Sequence, residues 1–280
     1  YQPCHQDGSN NGLQILSLLG KDEVGAKLTN CSDEDRRYDI YQTTADLVKE
    51  YVNVDVLNGN QIAMRWAGNI TRSCCKRACM TTPYGVTPRG IQDQLISDGF
   101  VDDLVGERID NAGYLRDHLV VALEKTVVAS RPIMNWFREI AGLLASVDRP
   151  LRWRTPTGTL VQQSYWKLSH SDVRTVMGSY YMWDQYEDGG LDKQKQINSS
   201  SPNVIHSLDA SLLQKVVNRL YDDDIKSFCT IHDSFAVHYR HVDHLRDVIR
   251  QEAYKMFKGD WLRDEFYSYA VSYTHLTLPT

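Results

Sequence analysis

Residues 225–240 read IKSFCTIHDSFAVHYR, two apolar, β-rich stretches on either side of His232 and Asp233. Such a segment predicts a tight hairpin with the polar pair near its tip. This constrains the rest of the fold, because an ionised carboxylate among Phe228, Ile231, Phe235 and Val237 is costly to desolvate unless a cation or hydrogen-bond donors compensate. A second acidic motif, Asp7-Gly8-Ser9, precedes a helical pattern at the other end of the chain. If the fold sets Asp7 beside Asp233, the two carboxylates repel each other and a divalent metal is the usual remedy, with hard oxygen ligands favouring Mg²⁺. Two unrelated surface turns remain the plainer alternative on these residues alone.

With 280 residues, 42% hydrophobic and 24% charged, the chain can bury the core of one large domain or two lobes. Its 31 basic and 36 acidic residues give a net charge of −5, which excludes a uniformly basic nucleic-acid coat but leaves room for a local basic groove. No run of ~18 apolar residues occurs, and the polar start YQPCHQDGSN is no signal peptide, so a soluble chain without a membrane span is expected. The absence of an initiating Met, with a motif inside the first ten residues, reads as a piece of a longer chain. Six scattered cysteines predict buried thiols in a reducing compartment rather than a disulfide framework. Cys74, Cys75 and Cys79 lack the spaced second pair of a zinc site, and His241 and His244 read as surface residues of a helix.

Apolar spacing predicts helices over residues 12–19, 38–51, 71–80 and 112–147, the last broken near Pro132. Residues 151–167 predict a hairpin around Thr-Pro-Thr-Gly. Residues 172–192 predict a more exposed hairpin with a turn at Glu187 to Gly190. The polar stretch KQKQINSSSPN reads as a connection to a helix starting at Ser207 as N-cap, and a last helix covers HVDHLRDVIRQEAYKMF. On the helix over 71–80, Arg72, Lys76 and Arg77 are expected to share a face. That face is either solvated or an anion clamp for successive phosphates, with Tyr84 two turns beyond Lys76 on the same side.

Four stretches, HQDGSNNGLQ (5–14), RSCCKRACMTTPYGVTPRG (72–90), SPNVIHSLDASLL (201–213) and TIHDSFAVH (230–238), closely resemble the single-subunit, phage-type DNA-directed RNA polymerases of T-odd-like phages and organelles. They occur in that family's order with compatible spacing, and TPTGTLVQQSYWK resembles a further family segment. The likeness runs over roughly residues 1–267. It implies an α+β, mainly helical right-hand polymerase with palm and fingers, a small antiparallel palm sheet carrying the catalytic aspartates. Residues 1–25 would be palm and 26–203 fingers, including the nucleotide-binding helix 71–85 and a specificity-hairpin region 173–192. Residues 204–270 would return to the palm. Residues 271–280 resemble nothing in the family and read as a non-native tail.

The resemblance implies a nucleotidyltransferase that adds ribonucleotides from NTPs to an RNA 3′-hydroxyl on a DNA template and releases pyrophosphate. Asp7 and Asp233, with the Gly8 carbonyl, would hold two Mg²⁺ ions, one activating the 3′-hydroxyl and the other stabilising the leaving pyrophosphate. Arg72 and Lys76 would bind the triphosphate, with Lys76 the candidate acid for pyrophosphate and Arg77 a weaker addition. Tyr84 would take part in sugar discrimination, Gly85 would lie beside the template base, and His206 would approach the ribose 2′-hydroxyl. His232 is carried over as a site neighbour. Implied partners are a DNA template and promoter, the RNA product and NTPs, with a monomer as working unit and no membrane. The implied setting is the cytoplasm of a phage-infected bacterium, with a mitochondrion or plastid as the alternative. An A-family DNA polymerase is a rival, but Asp7 is followed by GSNNG rather than the DYSQIE-type glutamate that excludes a 2′-hydroxyl, and the last motif is HDSF rather than HDE. A noncatalytic nucleic-acid-binding fragment is the other rival, and the isolated fragment is expected to be inactive.

The sequence departs from the family pattern at Asn10 and Ile15, and at Pro83, which removes an amide donor just before Tyr84. Tyr84 is expected to enter the site from a bent helix end.

Overall fold

A computed structural model of the chain describes residues 2–185 and 189–272. In chain order these form β1 (Cys4–Gln6), α1 (Asn11–Leu19), α2 (Glu23–Leu28), α3 (Ile40–Leu57), α4 (Gln61–Trp66), α5 (Arg72–Thr81), α6 (Pro88–Ser97), α7 (Arg108–Thr126), α8 (Ser130–Ser146), β2 (Leu151–Arg154), β3 (Leu160–Gln163), β4 (Leu168–Thr175), β5 (Gly178–Gln185), α9 (Lys193–Asp222), β6 (Phe228–Ile231), β7 (Ser234–Val237), α10 (Val242–Phe257) and α11 (Ser268–Ser272). The architecture is α+β: mainly helical, with small antiparallel sheets. No described helix is long and apolar enough to cross a membrane.

Short polar side chains set the helix starts. Asn10, Asp22, Asp39, Asn60 and Asp192 each accept a hydrogen bond from an amide of the first turn, satisfying donors that the helix leaves free. The apolar faces then assemble into three clusters. One gathers α1, α8, the start of β2 and the middle of α9, with Leu13, Leu16, Phe137, Trp153 and Leu208 fully buried. A second is made by α3 to α7 around Val48, Trp66, Leu115 and Leu119. The third lies between the end of α9, the β6–β7 hairpin and α10.

Helix α9, about 45 Å long at 1.5 Å per residue, runs from the first cluster to the third. The sequence reading placed a loop over its first half and a cap at Ser207, and the structure corrects both. The helix starts at its Asp192 cap and continues through Pro202. Ser207 is an interior residue whose hydroxyl accepts from the Trp153 indole at 2.9 Å. Tertiary contacts override the polar composition here. The buried Gln163 Nε2 donates to the Gln196 carbonyl (2.6 Å) and to Gln196 Oε1 (2.7 Å), while Gln196 Nε2 donates back to the Gln163 carbonyl at 2.9 Å. Asn203 Nδ2 adds a bond to Gln163 Oε1, 2.9 Å. Gln196→Ala removes the donor to the Gln163 carbonyl and one of the two acceptors of the buried Gln163 amide, and is expected to cost about 1–3 kcal/mol in urea unfolding, against ~0.5 kcal/mol or less for the exposed Gln194→Ala.

Two other boundaries differ from expectation. The break between α7 and α8 falls at residues 127–129, and Pro132 sits in the first turn of α8, where its missing N–H has no helical acceptor to lose. The exposed hairpin turns at Val176 and Met177, with Gly178 at φ 135°, rather than after β5. Glu187 and Asp188 of the expected turn, and residues 273–280 of the expected tail, lie outside the described residues.

Candidate active site

The sheet order β1-β7-β6 joins the two ends of the chain. Strand β1 pairs antiparallel with β7 in the register Cys4↔Val237, His5↔Ala236, Gln6↔Phe235, and His5 Nδ1 lies 3.1 Å from Ser234 Oγ. Continued two residues further, this register sets Gly8 opposite Asp233. A Cβ built on Gly8 would fall 2.8 Å from Asp233 Oδ2, so any larger residue here must displace the carboxylate. The β6–β7 hairpin closes through His232 at φ 52°, a left-handed conformation that costs a histidine about 1–3 kcal/mol and recurs at functional sites. Asp7 and Asp233 thus occupy one rim.

That rim opens into a cleft of about 930 Å³ lined by Asp7, Gly8, Arg37, Asp39, Tyr41, Arg72, Lys76, Tyr84, His206, Asp209, His232 and Asp233, among others. One wall is acidic. Burial, and then the charge of Asp7, push the Asp233 carboxyl above the usual range. Burial likewise raises Asp209, against the Asn11 side-chain hydrogen bond and the nearby His206 and His232. Burial, then Asp209 and Asp233, push the Tyr84 phenol up. An acidic wall left this uncompensated is one that a cation would relieve.

The same cleft is lined by the cations Arg72 and Lys76 of α5, with Asp39 and Tyr41 at the start of α3 beside Arg72. Arg72 and Lys76, four residues apart, stand on the same helical face. Arg77 is a correction to the expected clamp: one residue beyond Lys76 turns it ~100° around the helix, and it pairs instead with Asp98 and with Ser97 Oγ (3.2 Å). Arg72 is held firmly. Its Nε donates to Asp39 Oδ2 at 2.5 Å, and its guanidinium lies 4.9 Å from the centre of the Tyr41 ring. Asp39 Oδ1 meanwhile accepts from the Tyr41 and Gln42 amides at 3.0 and 3.2 Å, capping α3. Burial acts to raise the Asp39 carboxyl, but the Arg72 guanidinium and these amides overcome it and hold the carboxyl below the usual range. Asp39→Ala removes cap and tether together and is expected to cost about 1–2 kcal/mol in thermal or urea unfolding, whereas Asp39→Asn, which keeps the cap acceptor, costs under ~1 kcal/mol.

Tyr84 lines the cleft too. Helix α5 stops at Thr81, and a 3₁₀ turn over Thr82–Tyr84 ends at Gly85 with φ 78°, which suits glycine. Pro83 occupies the start of this turn, where no amide donor is needed, and its carbonyl accepts from Ser201 Oγ at 3.0 Å. Its ring packs so closely on α1 that a Cβ at Gly12 would lie 2.6 Å from Pro83 Cγ. The bent end aims Tyr84 into the cleft, stacked on His206 with ring centres 4.9 Å apart and planes 13° off parallel. Asn10 caps α1 and donates to the Cys79 carbonyl at 3.3 Å, tying α1 to α5.

Of the residues singled out in the sequence, Asp7, Gly8, Arg72, Lys76, Tyr84, His206, His232 and Asp233 therefore share one cleft. Gly85 does not: it lines a separate cavity of about 190 Å³ with Thr87, Arg131 and Arg138. Asp39, Tyr41 and Asp209 line the cleft without having been singled out. Asp209, one turn after His206, was within reach of a helical-face reading, but the Arg72 pairing with Asp39 spans 33 residues and has no local signature.

A sequence model of the DNA-dependent RNA polymerase family matches residues 1–277. The chain belongs to this single-subunit, phage-type polymerase family. It is 30% identical to mitochondrial DNA-directed RNA polymerase 1B of Nicotiana tabacum over the whole chain and 28% of that relative. Against mitochondrial DNA-directed RNA polymerase of Mus musculus it is 31% identical, over 94% of the chain and 22% of the relative. Against chloroplastic/mitochondrial DNA-directed RNA polymerase 2 of Arabidopsis thaliana it is 30% identical, over 99% of the chain and 28% of the relative. The chain thus spans under a third of the length of these relatives.

Proposed function

We propose that this cleft is the nucleotide-addition site of a DNA-directed RNA polymerase, within a palm formed by the β1-β7-β6 sheet and α9 and fingers formed by α3 to α7. The carrying observation is the pairing of β1 with β7, which sets Asp7, Gly8 and Asp233 on one rim of the cleft that Arg72 and Lys76 also line. The substrates are NTPs, a DNA template and the 3′ end of an RNA, and the working unit is a monomer. Membership in this family disfavours the A-family DNA polymerase reading.

The donor set fits Mg²⁺. Among the described residues no three His, Cys, Asp or Glu side chains converge into a ready-made cage. Two carboxylates and a backbone carbonyl supply hard oxygens while leaving positions for water and phosphate, the pattern that suits this ion. Asp7, the Gly8 carbonyl and Asp233 would hold two such ions, which when bound lower the pKa of a hydroxyl and neutralise phosphate charge. The chain's own residues do the rest. Arg72 and Lys76 would hold the triphosphate against the acidic rim, Lys76 would protonate the departing pyrophosphate, and the Tyr84–His206 stack would meet the sugar. The relatives' organellar names favour a mitochondrion or plastid as the setting, with a phage-infected bacterium as the other.

Tyr84→Phe tests the sugar assignment. In the full-length polymerase carrying this chain it is expected to lower the preference for NTP over dNTP by about tenfold or more, since a site built around a hydroxyl discriminates through that polar contact. Unchanged discrimination would remove Tyr84 from this role.

A further inference from the structure

The segment before α3 carries several cations, and all but one are engaged. Lys27 Nζ pairs with Glu34 at 2.8 Å and lies 5.0 Å from the centre of the Tyr38 ring. Arg36 lies over the same ring at 5.3 Å. Arg37 makes no hydrogen bond, ion pair or ring contact with any described residue, yet it lines the cleft together with Arg72 and Lys76. Its backbone is nevertheless fixed. Asn30 Nδ2 donates to the Tyr38 carbonyl at 2.9 Å, the Tyr38 amide donates to Asn30 Oδ1 at 2.8 Å, and the Tyr38 hydroxyl donates to Glu34 at 2.6 Å.

Arg37 stands two residues before Asp39, the cap of α3 that reaches Arg72 across the cleft. Arg37, Tyr38 and Asp39 all line this cleft, and the Tyr38 hydroxyl is engaged by Glu34. Charge balance gives the position a purpose. Asp39 already neutralises much of the Arg72 charge, which leaves Lys76 as the other cation on that wall of α5. The Mg²⁺ ions proposed for the rim would offset part of a triphosphate's charge, but Asp7 and Asp233 offset part of theirs, so negative charge is left over for a further cation.

We propose that Arg37 is a further substrate-binding residue, a third cation that contacts the triphosphate of the incoming nucleotide from the α3 side of the cleft. The guanidinium offers free donors in a planar fork that matches phosphate oxygens. Unlike Arg72, it is held by no carboxylate, so it can close on the phosphates as they arrive. The assignment rests on the nucleotide-addition reading of the site.

The test uses the full-length polymerase and two readouts, the KM for NTP in transcript extension and the binding of inorganic tripolyphosphate by calorimetry, which needs no turnover. Arg37→Ala is expected to raise the KM and the tripolyphosphate Kd each by about tenfold while kcat changes less than about threefold. Arg37→Glu should do more, and Arg37→Lys should recover most of the loss by restoring the charge. Unchanged KM and Kd in Arg37→Ala would overturn the proposal. So would weaker DNA or RNA binding at constant KM, which would assign Arg37 to a backbone phosphate instead. Failure of the underlying reading looks different: Asp233→Asn would then still extend a transcript, whatever Arg37 does.

Discussion

Asp233→Asn and Asp7→Asn are each expected to lower nucleotide addition by the full-length polymerase more than about 10³-fold, equivalent to over ~4 kcal/mol of transition-state stabilisation, while nucleic-acid binding persists. Asn keeps the shape and one oxygen but not the charge that a divalent cation needs. The fold should tolerate the Asp233 change well. This carboxyl sits raised by burial and by Asp7, so it is a group whose ionised form the folded state disfavours. A thermal midpoint that is unchanged or higher in metal-free buffer, with extension lost, separates a chemical defect from a folding one. Near-normal extension by either variant would remove the two-carboxylate site.

The second large effect comes from a hydrogen atom's worth of space. Gly8→Ala is expected to reduce extension by about 10²-fold, because a Cβ placed 2.8 Å from Asp233 Oδ2 and 3.1 Å from Gln14 Oε1 must displace the carboxylate. Displacements of that size in a pre-set catalytic group carry losses of this order, while overpacking costs stability only ~1–3 kcal/mol. Single-turnover extension on a preformed primer-template, with saturating NTP, reads the step directly. A Gly8→Ala enzyme within threefold of the parent would show that the Asp233 position is not critical.

The hairpin around Asp233, helix α10 and helix α5 were legible because period and turn chemistry agree there: apolar strands flank two polar residues, and apolar helical spacing runs without interruption. The start of α9 was not legible. Lys, Gln, Ser and an interior proline describe a connection by composition, and the helix persists because Gln196 and Asn203 find buried partners on β3. The tip of the exposed hairpin was misplaced for a similar reason, since Val176 and Met177 are poor turn residues that Gly178 allows. Within the cleft, residues from recognisable motifs were found, whereas Asp39 and Tyr41 were not, because their meaning comes from Arg72 across the fold. Arg77 shows the converse error. Sequence adjacency suggested a shared face, and the helical turn sends it to Asp98.

The strand that leads into Asp7 meets its partner only through residues 229 positions later, as the His5–Ser234 contact records. At ribosomal speeds of ~5–20 residues per second, the first half of the site waits about 10–50 s for the second to be synthesised. Chains released by a ribosome that stalls between the two motifs would therefore carry one carboxylate without its mate.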